Sequence, residues 1–308
     1  MAGIHTDLAM ECFDGENRGD MPGIRLSQRM DGGIATTEVW IDSDEAGARL
    51  GKAAGRYVTL ECMAMRQRDP DGRARLSSML SDALSAMLPE GASPSGVLVV
   101  GLGNRAITPD ALGPAVVDRT LVTRHLAQIE LPESGLRPVS AIAPGVLGVT
   151  GIETMEMVES LARLLKPSAI ICIDSLSARS ASRIGAALQL TDTGIQPGAG
   201  VGNHRRALTR ESVGAPVIAI GMPTVIYAAT LARDAFGWLN ARSGDTKPHE
   251  EALSDMEQAL LGGDIGSMIV TPREIDTLVE DAAGVIAAAL NRALQPGLSE
   301  SDIASMMD

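Results

Sequence analysis

Apolar residues recur along this chain with two periods, and the changes of period divide it into strands and helices. Thr36–Ile41 (TTEVWI) alternates apolar and polar positions, the pattern of a half-buried strand. Asp42-Ser43-Asp44-Glu45 opens a short helix to about Ala54, and Tyr57–Met63 (YVTLECM) predicts a second strand. Arg66–Arg75 is dense in charge and reads as a turn. Leu76, Met79, Leu80, Ala83, Leu84, Met87 and Leu88 then share one face of a helix over Leu76–Leu88. Pro89–Gly96 (PEGASPSG) has the composition of a linker. Residues 1–35, polar and glycine-rich, read as loop or a loosely docked extension.

From Val97 the two periods alternate. Val97–Val100 predicts a buried strand, followed by a helix over Asp110–Leu126. Val139–Ala143 is a strand leading to a helix over Gly151–Leu165, and strand Ala169–Ile173 ends at Asp174. Ala187–Leu190 is a fourth strand, with a glycine-rich loop at Gly194–Asn203. Strand Val217–Ile220 precedes a helix over Thr224–Trp238, and a weakly helical insertion follows near 243–266. The last long helix starts near Thr271-Pro272-Arg273-Glu274 and carries Ile275, Leu278, Val279, Ala282, Val285 and Ile286 on one face. Thr150 with Glu153, and Thr271 with Glu274, have capping-box spacing. The alternation predicts an α/β fold, a mainly parallel sheet with helices on both faces over 96–296. A smaller α+β region over 36–95 precedes it, and 297–308 reads as a tail.

Composition narrows the picture. The 308 residues are 45% hydrophobic but 2% aromatic, so the core must be packed with Ala, Val, Leu, Ile and Met. A net charge of −13 opposes direct binding to DNA or RNA. Cys12, Cys62 and Cys172 are widely spaced, which predicts neither a disulfide framework nor a zinc knuckle. The N-terminus lacks a leader pattern and no apolar run is long enough to span a bilayer, so a cytoplasmic location is expected.

The candidate chemistry centres on Val97–Pro114 (VLVVGLGNRAITPDALGP), where a strand turns through Gly101 and Gly103 to Thr108-Pro109-Asp110. Asp110 and Asp174 both follow strands and fall on one predicted sheet edge, where ligands of open α/β sheets bind. Two carboxylates sharing a dry cleft ionise unequally, so one can act as acid while the other activates water. The same pair can instead hold a divalent metal, or each can be a structural turn acid. Gly101-x-Gly103-x-x-Ala106 loosely matches a dinucleotide fingerprint. Pro109 and Asp110 oppose that reading, because a pyrophosphate needs open N–H groups and no facing carboxylate. Asp192-Thr193-Gly194 resembles a pepsin-type triplet, but those sites belong to all-β lobes, and a β-turn explains it as well; Asp192 can still line the cleft. His5, His125, His204 and His249 show no metal-ligand spacing. His204, Arg205 and Arg206 form a basic turn able to meet an acidic group.

The motifs taken together resemble a known family. GLGN-x4-PDALGP, LVTRHL at 121–126, RPVSAIAPGVLGVTGIET at 137–154, IDSLSARS at 173–180, TDTGIQPGAGVGNHR at 191–205 and PVIAIGMPTVI at 216–226 are similar to those of the GPR endopeptidases. These spore proteases degrade small acid-soluble spore proteins at germination. The resemblance runs from Thr6 to the helix at 271–294. It implies that Asp110 and Asp174 are the catalytic pair and that the assembly is a homotetramer of the spore core; no cofactor is expected to be required, with a divalent metal left open. It also implies a zymogen that cuts itself after an acid and before an apolar residue, here between Asp7 and Leu8, making 1–35 a pro-segment and N-terminal extension. Arg179, Arg205 or Arg206 is then expected to greet the acid before the cut, with Asp192 and His204 as further substrate contacts. The GLGN turn is more distantly similar to hydrogenase maturation endopeptidases, where an acid in the place of Asp110 joins a metal. The readings left open are therefore a spore protease, a metal-dependent maturation endopeptidase of one partner, and a non-enzymatic nucleotide-binding module.

Overall fold

The structure is a computed structural model, described here for residues 6–13, 21–89, 95–127, 136–195, 207–232, 234–235 and 268–307. Its frame is one sheet of nine strands in the order β1-β2-β3-β7-β8-β6-β4-β5, with β9 paired to β8. The strands are β1 Ile24–Asp31, β2 Ile34–Ile41, β3 Gly55–Glu61, β4 Val97–Gly101, β5 Val139–Ile142, β6 Ala169–Ala178, β7 Ala187–Thr191, β8 Val217–Tyr227 and β9 Ile269–Val270. Only β5-β4-β6-β8 is parallel; the pairings that join β1, β2, β3, β7, β8 and β9 are antiparallel. The sheet is thus mixed, which corrects the mainly parallel expectation. The β1–β2 connection is a tight turn with no room for a crossover helix, so these neighbours must run antiparallel. β3 continues that alternation and hands it to β7, a strand far away in sequence.

Helices cover both faces. Val97, Val99, Ile171 and Ile173 pack in one core cluster, whereas Leu98, Val100, Ile170 and Cys172 pack in another. Alternate residues of a strand point to opposite faces, so these two clusters lie on opposite sides of the sheet. The first face carries α3 (Pro70–Ser85), α4 (Leu112–Val117) and the long helix α9 (Ile275–Leu294). The second carries α7 (Thr154–Leu165) and α8 (Arg210–Val213). Further helices with described bounds are α1 (Asp44–Leu50), α2 (Ala64–Gln67), α5 (Arg124–Ala127), α6 (Leu147–Thr150) and α10 (Glu300–Met307), and residues 228–232 and 234–235 are helical as well.

Several elements depart from the sequence reading, each for a local reason. The stretch read as loop before residue 36 contains β1, joined to β2 by Gly32 and Gly33 at φ +53° and +82°. Two positive φ angles make the tight hairpin turn that matches strand twist. Ile24, Leu26 and Met30 do fall on alternate positions of β1, but the strand is exposed along nearly its whole length, and its backbone pairing with β2 defines it. The charged stretch 66–75 enters α2 and α3, with the Asp69 carboxylate accepting from Asp71 N and Pro70 opening the helix. The predicted helix over 110–126 breaks into a 3-10 turn (Thr108–Asp110), α4 and α5. Asn291 on α9 intercepts the backbone there: its Oδ1 accepts from Leu121 N at 2.9 Å and its Nδ2 donates to Arg119 O at 3.1 Å. Neither capping box forms. Thr150 Oγ1 accepts from Ile152 N instead, and Thr271 Oγ1 donates to Thr224 O. The predicted tail contains α10, and the insertion near 243–266 lies outside the described residues.

Two departures shape the site. β6 runs on from Ile173 to Ala178, and β8 runs on to Tyr227 where a helix was expected from Thr224. The two extensions pair with each other from Asp174↔Gly221 to Ala178↔Ile226. Gly221 has no side chain because Leu176 fills that space: a Cβ there would lie 2.6 Å from Leu176 Cγ. Pro223 is tolerated inside β8 because it sits at the register shift beside Leu176 and Ser177.

Candidate active site

β4 delivers its turn tightly against β6 and the 3-10 turn. Leu102 N donates to Ile173 O at 2.8 Å, and Asn104 N donates to Asp110 O at 2.9 Å. Gly103 has φ +110°, and a Cβ on it would lie 2.0 Å from Asp110 O. A Cβ on Gly101 would lie 2.2 Å from Gly113 O. The glycines therefore let α4 and the Asp110 turn close onto the strand. The amides a pyrophosphate would need are already committed: Ala106 N donates to Asn104 Oδ1, Ile107 N to Asn104 O and Asp110 N to Ile107 O. That removes the basis of a nucleotide site at this turn. Gly103→Ala is expected to cost about 2 kcal/mol or more from backbone strain and overlap. It should also lower cleavage by at least about tenfold per folded molecule, since the displaced atom belongs to Asp110. Thermal unfolding and a cleavage assay on the same preparation check both effects.

Asp174 is the first β6 residue beyond the last β4 pairing, Gly101↔Ile173. It is 9% exposed, and its Oδ1 accepts from Ser175 N at 2.9 Å. Asp110 and Asp174 line one cavity of about 630 Å³ at this edge of the sheet. That is the size of an ordinary ligand pocket. Asp110 thus lines this space from the 3-10 turn that follows β4, and Asp174 from β6. Among the described residues no group of three or more His, Cys, Asp or Glu side chains is placed to hold a metal ion. Cys172, two residues before Asp174, is not a competing nucleophile. Burial pushes its thiol far above the usual range and the nearby Asp174 charge adds to this, so it stays protonated.

The cavity also collects residues that the sequence did not single out. Ser175 Oγ and Thr224 Oγ1 are buried and lack a hydrogen-bond partner among the described residues, and both residues line the cavity. Buried hydroxyls without partners are rare enough to mark places where water or substrate completes the set. Gln189, on β7, lines it too. A lone Ser, Thr or Gln inside an apolar strand gives no sequence signal of this kind; only the strand extensions bring them to the edge.

Asp7 lines the same cavity, while Leu8 is fully buried beside Met10, Ala187 and Leu176. Asp192 does not line it. Its Oδ1 accepts from Arg56 N at 2.8 Å, which fastens the end of β7 to β3. Arg179 does not line it either; its backbone N donates to Glu11 Oε2 at 2.6 Å. His204, Arg205 and Arg206 lie outside the described residues, as does His5.

Comparison with known proteins agrees with the motifs. The family model described as Germination protease matches residues 5–261. A Germination protease of Clostridium tetani is 38% identical over 323 residues, covering 99% of this chain and 99% of that protein. One of Caldanaerobacter subterraneus subsp. tengcongensis is 39% identical over 319 residues, covering 99% and 98%. One of Bacillus cereus is 36% identical over 351 residues, covering 97% and 95%. With the α/β frame, the twin-carboxylate cavity and matches of this extent, the chain belongs to the germination protease family and is a peptidase of spore germination.

Proposed function

We propose that this chain is a precursor that cuts itself between Asp7 and Leu8 and then degrades small acid-soluble spore proteins in the spore core. Asp110 and Asp174 share one proton between them. The ionised member takes a proton from water, whose oxygen attacks the peptide carbonyl; the protonated member donates to that carbonyl oxygen and, later, a proton reaches the leaving amine. The observation that carries the reading is that Asp7 and both carboxylates line a single cavity. Burial of Leu8 in an apolar cluster fits an apolar residue after the cut.

The test incubates the purified full chain alone and with a small acid-soluble spore protein, with and without a chelator, and sequences the new N-termini. The expected result is a chain starting at Leu8 and substrate cuts after an acid and before an apolar residue, unchanged by the chelator. An unprocessed start under every condition would overturn self-processing. Activity lost with a stoichiometric metal would transfer the chemistry to a metal-dependent endopeptidase.

A further inference from the structure

β6 outruns β4, and that overhang has a chemical consequence. Past Gly101↔Ile173 the strand remains paired to β8 on one side only. On its other side every second amide faces no strand. Two of these amides, and that of Arg179 just past the strand, are taken by carboxylates: Ser175 N donates to Asp174 Oδ1 at 2.9 Å, Ser177 N to Asp7 Oδ2 at 2.7 Å, and Arg179 N to Glu11 Oε2 at 2.6 Å. Asp7 is held further. Ser177 Oγ donates to the same Oδ2 at 2.9 Å, and Asp7 N donates to Ser177 O at 3.1 Å.

The main chain on either side of the Asp7–Leu8 bond is gripped as well. Gln189 Nε2 donates to Asp7 O at 2.9 Å, while its Oε1 accepts from Ala9 N at 2.7 Å. Only one orientation of the Gln189 amide satisfies both partners, so the donor is fixed on the Asp7 carbonyl. Lys52 Nζ donates to Thr6 O at 2.7 Å. Lys52 and Gln189 bond here to peptide groups, which any sequence offers. The side chain before the bond is the one read by a specific partner.

We propose that the overhanging edge of β6, together with Gln189, is the substrate-docking site of this peptidase, and that Ser177 selects the acid before the cut. The assignment rests on the self-processing reading above. Ser177 supplies two neutral donors to one carboxylate oxygen, and bonds to an ionised acceptor are about twice as strong as neutral ones. A bound substrate lies along β6 as an added strand segment, its acid on Ser177 and its next, apolar residue in the pocket of Leu176 and Ala187. Gln189 then donates to the carbonyl oxygen on which negative charge develops as water attacks.

A double-mutant cycle on the full chain tests this, reading the rate at which a Leu8 start appears in the unaltered chain, Ser177→Ala, Asp7→Ala and the double variant. Ser177→Ala should slow self-cleavage about tenfold and Asp7→Ala about thirtyfold, the range of one to two charge-assisted bonds. The double variant should be no slower than Asp7→Ala alone within about threefold, because the partners share one interaction. Ser177→Ala removes one oxygen, and a thermal midpoint close to that of the unaltered chain will show that the fold persists. Effects that multiply, or a Ser177→Ala rate equal to the unaltered one, would overturn the assignment while leaving self-processing intact. No Leu8 start from the unaltered chain would overturn the self-processing reading and this assignment with it.

Discussion

Asp174→Asn is expected to lower peptide cleavage by about 10³-fold or more, and Asp110→Asn by a comparable factor, the scale of a lost general acid or base. Each change is nearly isosteric. The amide introduced by Asp174→Asn still offers an oxygen to Ser175 N, which now donates to Asp174 Oδ1 at 2.9 Å. The fold should therefore survive, and a thermal midpoint within a few degrees of the unaltered protein separates lost chemistry from lost structure. The two losses should not multiply, because carboxylates that share a proton act as a unit. The measurement is the cleavage rate of a small acid-soluble spore protein by both single variants and the double variant. Cleavage by either single variant at more than about a tenth of the normal rate would sink the acid-pair mechanism.

The second large effect is on stability. Glu11→Ala should cost about 3–5 kcal/mol, the usual result of stripping one partner from a buried ion pair. Glu11 is fully buried in the segment that lies along the edge of β6. Its carboxylate accepts from Arg179 N at 2.6 Å, from Ser180 N at 3.0 Å and from Arg183 Nη1 at 3.0 Å, and Thr6 Oγ1 donates to it too. Arg183 keeps its bond to Glu61, whose Oε1 accepts from Arg183 Nε at 2.9 Å. The backbone amides of Arg179 and Ser180 would keep none of these bonds. Glu11→Gln retains an acceptor and should cost roughly half as much. Chemical denaturation measures both; a loss below about 1 kcal/mol for Glu11→Ala would show that the segment is only loosely attached.

These carboxylates illustrate how differently the sequence spoke. Asp110 was legible because a strand, a glycine turn and a Thr-Pro-Asp helix start are local signals, each fixed by backbone preferences within a few residues. Asp174 was legible because an apolar run ended on it. Glu11 carried no such signal. It is an acid in a polar N-terminal stretch, and nothing local says that it is buried under residues 179–183, far along the chain. Ser177 and Gln189 were silent for the same reason, as short polar residues in strands gain meaning only from what lies across from them.

The amino-acid sequence by itself determined the α/β class, the two-sided packing of β4 and β6, and the placing of Asp110 and Asp174 at one edge of the sheet. Those features follow from periodicity, chain punctuation and family motifs, all of which act over short separations. Tertiary structure alone decided that the sheet is mixed, that β6 and β8 run on together past β4, and that residues 6–13 occupy the edge this leaves. Strand length and pairing depend on which distant partner presents its backbone groups, and a buried edge must find hydrogen bonds from somewhere. Here it finds them in Asp7 and Glu11, which is why the stretch that looked least structured is fastened beside the cavity that Asp110 and Asp174 line.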